Sequence, residues 1–425
     1  MTESFLHYLW QYQQFDKRNL QTVHQESIRI LKTGRYNTDS GPDFLHARLL
    51  IGSIEWVGNV EIHIFSSDWN AHAHYTDEAY NNVVLHVVWE NNVMICRQDG
   101  TPIPTIELKY ITNPNIELRF SELIENKGFI PCEKQVSDIS TLSKMSMLDK
   151  VLVKRLEDKA AFVKELFENN NGDWEETAYQ VLAKNFGFKL NSEVFLRLAQ
   201  NLPLKNLAKH RGEVFPIEAM LFGQSGLLVE TDEYSERLSK EYQFYAQKYG
   251  LKERKLADFE WKFLRTRPTN FPTIRISQLA VLISRRQSLF AMCTQTASIQ
   301  ELKNLFAIEN SVYWQEHHHF AKKTQRKMSG LGADSIENIL INSVIPLLVF
   351  YSQYIDSQSY MDRALLFLEQ ISAERNHLTS AWENLGFEVK TAHDSQSLIE
   401  LYKNYCSEKK CLSCHIGFEI LKTQA

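Results

Sequence analysis

The sequence lacks the features that mark several classes of protein. Its 425 residues include only 16 Gly and 10 Pro, and 44% are hydrophobic against 23% charged. This composition excludes a collagen, a coiled coil and a disordered chain. No apolar run reaches the roughly 18 to 20 residues of a membrane helix, because the best candidate, residues 339–350, is interrupted by Asn342 and Pro346. We therefore expect no membrane contact and two or three folded units.

Several sequence signatures are also missing. There is no Walker loop, no dinucleotide fingerprint and no GxSxG elbow, which weakens nucleotide-dependent, Rossmann-type and α/β-hydrolase functions. Residues 1–4 show neither the cationic start nor the apolar stretch of a secretory signal. The expected location is therefore cytoplasmic, where cysteines stay reduced.

The periodicity of apolar residues changes along the chain. A helix is predicted at residues 3–14 and strands at 45–51, 55–64, 83–89 and 105–111, whereas the remainder shows helical spacing. We predict an α/β (or α+β) N-terminal domain with a small sheet, followed by a large all-α domain. The predicted boundaries are 1–135 for the sheet domain, 136–400 for the helical domain and 401–425 for a Cys-rich tail.

Two acidic residues and a histidine form the most suggestive polar group of the predicted sheet. Asp43 ends a turn before one strand, whereas Glu61 and His63 lie two residues apart on the next strand and so share a face. If these strands pair, the three side chains meet at one end of the sheet. Carboxylates with an imidazole suit Mg²⁺ or Mn²⁺, which polarise a phosphate and activate water. We predict all three as catalytic residues, with Asp43 and Glu61 as metal ligands.

Histidines are concentrated in the same stretch. His46, His63, His72, His74 and His86 lie within 41 residues of a chain that has 14 histidines in all. Imidazoles supply metal ligands or a general base, so His72 and His74 join the predicted metal ligands. The alternative is that these side chains fill half-polar strand positions and cap a turn.

This arrangement resembles the PD-(D/E)XK nuclease superfamily, whose core has a helix, a strand bearing Pro-Asp and a strand bearing acidic-x-Lys. Pro42-Asp43 matches the first motif and Glu61-Ile62-His63 matches the second. The resemblance implies a small restriction-endonuclease-like sheet, metal binding by the acidic residues and a further acidic side chain from Glu3 on the leading helix. His63 replaces the Lys that assists the attacking water in that superfamily, which leaves the activation of water open.

A basic segment lies in the predicted helical domain. Residues 250–286 hold nine basic and three acidic residues, a weak indication of a polyanionic partner. We predict that Arg265, Arg267 and Arg275 contact nucleic acid, because guanidinium groups bind phosphates bidentately. The alternative, which the pattern favours, is an interhelical corner in which these arginines bind helix carbonyls.

Cysteines cluster near the C-terminus. Cys406, Cys411 and Cys414 have the spacing of three metal ligands on a tight turn, and Cys132 is the best candidate for a fourth, with His415 as the local alternative. The layout resembles that of nucleases related to the RecB type, in which one upstream and three C-terminal cysteines hold an iron–sulfur cluster. We predict an Fe–S cluster or Zn²⁺ here; the alternative is three free, buried thiols.

From end to end the sequence also resembles a bacterial family of proteins without an assigned activity. The motifs that carry this resemblance lie at residues 40–44, 58–63, 66–69, 85–89 and 219–223 and in the Cys-rich tail. It indicates that these blocks belong together, but nothing about chemistry.

Two functions remain at the level of the sequence. The leading hypothesis is a Mg²⁺- or Mn²⁺-dependent phosphodiesterase, a nuclease acting on nucleic acid. The alternative is a non-catalytic scaffold with a degenerate nuclease-like domain, which binds nucleic acid or protein through its helical domain. A hydrolase of another phosphorylated substrate shares the metal and differs only in substrate.

Overall fold

The computed structural model describes residues 1–422 of the chain. The chain forms two compact units, Met1–Leu148 with Leu401–Ala425, and Asp149–Glu400. This division differs from the predicted boundaries in two respects. The first unit extends beyond residue 135, and the C-terminal segment belongs to the first unit instead of forming a separate tail.

A mixed sheet forms the centre of the first unit. Its strands are β1 (Ile28–Lys32), β2 (Arg35–Tyr36), β3 (Phe44–Ile51), β4 (Ile54–Phe65), β5 (Val83–Glu90) and β6 (Thr105–Glu107). Their order is β1-β3-β4-β5-β6, with β2 also paired to β3. The β1-β3-β4 portion is antiparallel and the β4-β5-β6 portion is parallel. An N-terminal sheet followed by a mostly helical region is the predicted fold class, which is confirmed.

Strand β4 is covered on both faces in its second half. Val60 and Ile62 are buried on the face that packs into the core, while Glu61 and His63 are 5% and 2% exposed on the opposite face. A strand that places a carboxylate and an imidazole on a covered face must give them polar partners, because an unpaired buried polar group is costly. The chemistry of the first unit is concentrated on this face.

The first unit also contains several helices. They are α1 (Glu3–Gln11), α2 (Asp68–Ala71), α3 (Pro114–Glu125) and α4 (Thr141–Asn169), the last of which continues into the second unit. The C-terminal helix α18 (His415–Leu421) also belongs to the first unit. Helix α1 begins where Thr2 accepts a hydrogen bond from the N–H of Phe5, and it buries Phe5, Leu6, Leu9 and Trp10.

The second unit is mostly helical. Its helices are α5 (Trp174–Phe186), α6 (Phe188–Asn201), α7 (Leu204–Leu207), α8 (Val214–Ser225), α9 (Glu233–Tyr249), α10 (Pro272–Arg285), α11 (Leu289–Gln295), α12 (Ile299–Phe306), α13 (Ala333–Ile339), α14 (Ile345–Tyr354), α15 (Gln358–Gln370), α16 (His377–Asn384) and α17 (Ala392–Leu401). It also contains a short hairpin of β7 (His317–His319) and β8 (Lys322–Lys323). Asp173 caps α5 by accepting a hydrogen bond from the N–H of Glu176.

One helical stretch is long and apolar enough to cross a membrane. Residues Ala333–Tyr354 run through α13, a π-helical turn and α14 without a break, so Asn342 and Pro346 do not interrupt it as the sequence suggested. The protein interior buries 67% of the most apolar window of this stretch. Core helices of soluble proteins share this length and composition, so the stretch is weak support for a membrane span.

Candidate metal centre

Asp43 and Glu61 lie side by side where β3 begins, at the end of the β3-β4 pair away from its connecting turn. The backbone N–H of Asp43 donates to Oε2 of Glu61 over 3.1 Å, and Oδ2 of Asp43 accepts from the N–H of Ile62 over 2.9 Å. The antiparallel register that pairs Phe44 with Val60 sets up this reciprocal contact. Each carboxylate therefore accepts a hydrogen bond from the backbone of the segment that carries the other carboxylate.

The turn before β3 fixes where Asp43 enters. Gly41 has a φ of +100°, a conformation that side-chain-bearing residues rarely adopt. The side-chain amide of Asn37 donates to the carbonyl oxygens of Ser40 and Pro42, over 3.2 and 3.0 Å. The turn is thus tied down from inside, and Asp43 is placed by backbone geometry instead of by side-chain packing alone.

Three histidines converge beside this pair. The ligand atoms of His63, His72 and His74 all lie within 4.8 Å of one another, close enough to bind one ion. Nε2 of His63 is 3.1 Å from Nδ1 of His72. Oε1 of Glu61 lies 3.3 Å from Nε2 of His74 and 3.6 Å from Nε2 of His63. Three imidazoles therefore surround one point, and the carboxylate of Glu61 lies beside two of them.

His86 supports this group from β5. The parallel register pairs Glu61 with His86, and Nε2 of His86 lies 2.8 Å from Nδ1 of His63. When His63 donates its Nδ1 proton across this contact, its Nε2 lone pair faces His72. Metal-ligating histidines commonly donate their second ring N–H to a fixed acceptor, which orients the ring.

Electrostatics favour neutral imidazoles in the buried part of the group. Burial, with the neighbouring imidazoles adding to it, lowers the pKa of His63 to about 2 and the pKa of His86 to about 3. Burial also raises the pKa of Glu61, an effect that His74 offsets only in part. A bound cation would favour the ionised carboxylate, and a neutral imidazole is the form that binds a metal.

This geometry does not support the predicted role of His63 in activating water. Both of its ring nitrogens face other imidazoles. A base with a strongly lowered pKa accepts a proton from water poorly. The structure instead places the ring of His63 between Glu61 and His72.

The motif at residues 66–69 builds the loop that carries His72. Oγ of Ser66 donates to the carbonyl of Val93 over 2.8 Å and accepts from the N–H of the same residue over 2.9 Å. Oδ2 of Asp68 accepts from the N–H of Phe65 over 2.9 Å. Trp69 is buried, and its indole N–H donates to the carbonyl of Cys96 over 3.2 Å. These bonds fix α2, which ends where His72 begins.

Sequence reasoning missed His7, which joins the site from α1. Its Nε2 lies 3.2 Å from Oδ2 of Asp43, and its Nδ1 is 3.4 Å from the hydroxyl of Tyr36. Glu3 lies one turn earlier on the same helix; among the described residues, the contact to Asp43 from α1 comes from His7. The available signal was a histidine flanked by the apolar residues Phe5, Leu6, Tyr8 and Leu9, which pack α1 onto the sheet.

Three ring nitrogens at this site are buried without an aligned hydrogen bond. They are Nε2 of His7, Nε2 of His74 and Nδ1 of His86. The first two lie within about 3.3 Å of a carboxylate oxygen but out of hydrogen-bond alignment. Buried polar atoms without partners are rare in native structures. A bound ion would supply a partner for the ring nitrogen of His74, which belongs to the group of three histidines.

Other histidines and acids nearby stay outside the group. His46 is exposed, with a positive φ of 59°. Asp77 is exposed as well, and its side chain caps a short helical turn through the N–H of Ala79. Neither residue contributes a donor to the group around His63.

The three arginines of the second unit that were predicted to contact nucleic acid differ in their exposure to solvent. Arg275 is 3% exposed, and its guanidinium donates to Gln278 (2.8 Å), Asn270 (2.6 Å) and Ser335 (2.9 Å). Its side chain therefore stabilises the fold and is not accessible to a phosphate, contrary to the prediction. Arg265 and Arg267 are exposed.

The four predicted cysteine ligands are brought together in the first unit. Cys132, Cys406, Cys411 and Cys414 line one small cavity, and each side chain is buried. They form no disulfide. Burial, strengthened by the neighbouring thiols, raises the pKa of Cys132 and of Cys411 to about 12. His415, the local alternative, is not among the residues that line the cavity.

Comparisons with known proteins give a family but no activity. No curated protein matches the chain, and no solved structure matches it. The family described as "Protein of unknown function (DUF2851)" matches residues 3–377, which include both carboxylates and all the histidines of the site. The chain therefore belongs to the DUF2851 family.

Proposed function

We propose that the protein is a metal-dependent phosphodiesterase acting on nucleic acid. The observation that carries the proposal is the reciprocal contact of Asp43 and Glu61, which holds two carboxylates against the group of His63, His72 and His74. A purely structural role does not require so many ionisable groups on one covered face. Perturbed titratable groups concentrated in this way are typical of functional sites.

The donor set favours particular metals. Imidazole nitrogens suit transition metals such as Fe²⁺ and Zn²⁺, whereas Mg²⁺ prefers oxygen ligands. His63, His72 and His74 would hold the ion together with Glu61, and Asp43 lies next to them. Of the two ions that the sequence suggested, we therefore favour Mn²⁺ over Mg²⁺. When bound, such an ion polarises a phosphate and activates water.

The exposed side of the group is where a substrate would approach. His72 is exposed, and the side chain of Asp43 keeps 22% of its surface accessible. Glu61 and His63 lie beneath them. His7, whose buried Nε2 lies 3.2 Å from Oδ2 of Asp43, would position this carboxylate from the inner side.

Phosphodiester chemistry is supported by the order of the elements. A helix, α1, precedes a strand that begins after Pro42-Asp43 and a strand that carries Glu61-Ile62-His63. This is the order of motifs in the PD-(D/E)XK nucleases that the sequence resembles. The exposed Arg265 and Arg267 of the second unit remain candidates for contact with a nucleic-acid backbone.

The test combines metal binding and cleavage. Mn²⁺ binding is measured by calorimetry, and cleavage of single- and double-stranded DNA and RNA is measured with Mn²⁺ present. We expect Asp43→Asn to abolish cleavage while the circular dichroism spectrum stays unchanged. The control is Asp77→Asn, which changes an exposed carboxylate outside the group and leaves both readouts intact.

Two results would overturn the proposal. Cleavage that persists in an Asp43→Asn, Glu61→Gln double variant would place the chemistry elsewhere. Absence of both metal binding and cleavage in the wild type would favour the non-catalytic scaffold, which predicts salt-sensitive association with nucleic acid instead. The replacement of the nuclease Lys by a buried His63 is the observation that keeps this alternative open.

A further inference from the structure

Four cysteines from distant parts of the chain share one cavity in the first unit. Cys132 precedes α4, whereas Cys406, Cys411 and Cys414 surround the turn before α18. They line a cavity of about 20 Å³ together with Pro131, Tyr405, Lys410 and Gly417. We propose that this cavity is a thiolate site for a soft metal centre, separate from the histidine group.

The backbone around the thiols is shaped for close approach. A Cβ on Gly417 would lie 2.1 Å from the carbonyl oxygen of Cys411, so a larger residue would push the turn and α18 apart. The N–H of Cys414 donates to the carbonyl of Cys411 over 3.2 Å, and the N–H of Val136 donates to the carbonyl of Cys132 over 2.9 Å. Both segments are thus turned so that their thiols face the cavity.

The chemistry of the lining fits a metal better than it fits water. A cavity of this size admits about one water molecule, but a buried water needs two to four polar partners. Thiols are weak hydrogen-bonding groups and good ligands for soft metals. Four thiolates complete the coordination of either a zinc ion or an iron–sulfur cluster.

The two occupants demand different spacing. A tetrahedral zinc ion with bonds of about 2.3 Å holds its sulfurs about 3.8 Å apart. Among the described residues, the four cysteines do not form a group whose ligand atoms all lie within 4.8 Å. A single ion would therefore draw the thiols inward, whereas an iron–sulfur cluster would bridge a wider set.

A metal at this position would fasten the C-terminal segment to the helix that carries His7. Phe418 of α18 contacts Tyr8 of α1 and Tyr12 just after this helix, with ring centres 6.1 and 4.9 Å apart. On the other side, Arg119 of α3 donates to the carbonyl of Ile420 over 3.3 Å. Loading of the thiol site should therefore stabilise the first unit and the position of His7.

The experiment must separate this site from the histidine group. We would purify the full chain anaerobically in a His72→Ala, His74→Ala background, then measure zinc, iron and labile sulfide per chain and the visible absorption spectrum. We expect about one equivalent of zinc, or iron with labile sulfide and a broad charge-transfer band. Either result supports the thiol site, and the two identify its occupant.

A matched pair of variants assigns the ligands. Cys414→Ser should remove at least half of the bound metal and lower the midpoint of thermal unfolding. Cys96→Ser, which changes a cysteine outside the cavity, should leave both unchanged. If Cys414→Ser does not fold, chelation of the unmodified chain provides the second measurement: a maleimide should label four more thiols after chelation than before it.

Metal-free protein from anaerobic purification that also fails to bind Co²⁺ with thiolate charge-transfer absorption would overturn the proposal. Equal metal content in Cys414→Ser and in the unmodified chain would do so too. Neither readout depends on cleavage of nucleic acid, so failure here leaves the proposed function untouched.

Discussion

Each unit buries a carboxylate within a cluster of polar side chains, but the two carboxylates have different kinds of hydrogen-bonding partner. In the second unit, Glu218 of α8 is 0% exposed and accepts hydrogen bonds from Tyr234, from Ser277 (2.6 Å) and from Ser311 (2.8 Å). In the first unit, Glu61 faces the imidazoles of His63 and His74, and a buried ring nitrogen of His74 has no aligned hydrogen bond.

The difference separates a structural cluster from a candidate site. The hydroxyls around Glu218 donate to it, so this cluster needs nothing further to be stable. Around Glu61, by contrast, Nε2 of His74 lies 3.3 Å from the carboxylate without an aligned hydrogen bond. A cation held by His63, His72 and His74 would give this nitrogen and the carboxylate a shared partner.

The largest effect is expected from replacing each carboxylate by its amide. Glu61→Gln should weaken Mn²⁺ binding by about 100-fold or more, because it removes an anionic donor among the ligands. Glu218→Gln keeps an oxygen that accepts from the hydroxyls and should leave Mn²⁺ affinity unchanged. Calorimetry on both proteins measures the contrast; equal affinities would remove the distinction between the clusters.

Truncation of Glu218 should lower the free energy of unfolding. Glu218→Ala leaves three buried hydroxyls without their acceptor and opens a cavity, which together cost about 2–4 kcal/mol of unfolding free energy. Denaturant unfolding followed by hydrogen exchange in α8 and α10 measures it. Metal binding at the histidine group should persist, whereas joint loss of both properties would make Glu218 part of the site.

The orienting role of His86 gives a smaller, graded effect. His86→Leu removes the acceptor for the Nδ1 proton of His63 and should weaken Mn²⁺ binding by about 10- to 100-fold. His86→Gln retains an acceptor oxygen and should recover part of this loss. Equal affinities for the two variants would show that His86 only fills space.

The imidazoles of the first cluster and Glu218 of the second should respond to pH in opposite directions; Glu61, whose pKa burial also raises, offsets part of the imidazole response. The folded protein keeps His63 and His86 neutral because burial lowers their pKa values. The unfolded chain binds protons below about pH 6.5, so the metal-free first unit loses up to about 1.4 kcal/mol per pH unit for each imidazole as the pH falls from 6.5.

Glu218 acts in the reverse sense. Its pKa is raised by burial, although the hydroxyls that donate to it oppose the shift. The folded chain therefore retains a proton that the unfolded chain releases, and the contribution of Glu218 to stability falls as the pH rises above its unfolded value of about 4.5. Hydrogen exchange resolved by unit, on metal-free protein between pH 4.5 and 7, measures both slopes. A shared direction would contradict the burial of one of the two clusters.

Much of the fold followed from local patterns. Alternation at 45–51 and 55–64 predicted β3 and β4 to within a residue at each end, because one face of each strand is apolar. Strand β6 is shorter than predicted and ends at Glu107. The residues beyond it form a turn, in which the N–H of Ile111 donates to the carbonyl of Leu108. The alternation of apolar residues in the sequence did not distinguish this turn from a strand.

The candidate site was foreseen only in part. Asp43, Glu61 and His63 could be grouped because adjacent strands and a period of two relate them. His7 could not, since it lies 36 positions before Asp43 and reaches it only when α1 packs on the sheet. Arg275 misled for the related reason that a basic residue in a sequence gives no sign of burial until helices enclose it.

The sequence by itself determined the residue types available for chemistry and the periods that make strands and helices, since both are properties of neighbours along the chain. Tertiary structure decided which of these residues meet. The register of β3 on β4 joins Asp43 to Glu61, and the return of the C-terminal segment joins Cys132 to Cys414. Such contacts depend on how distant segments pack together. The free energy of this packing is summed over the whole core, so no single stretch of the sequence determines it.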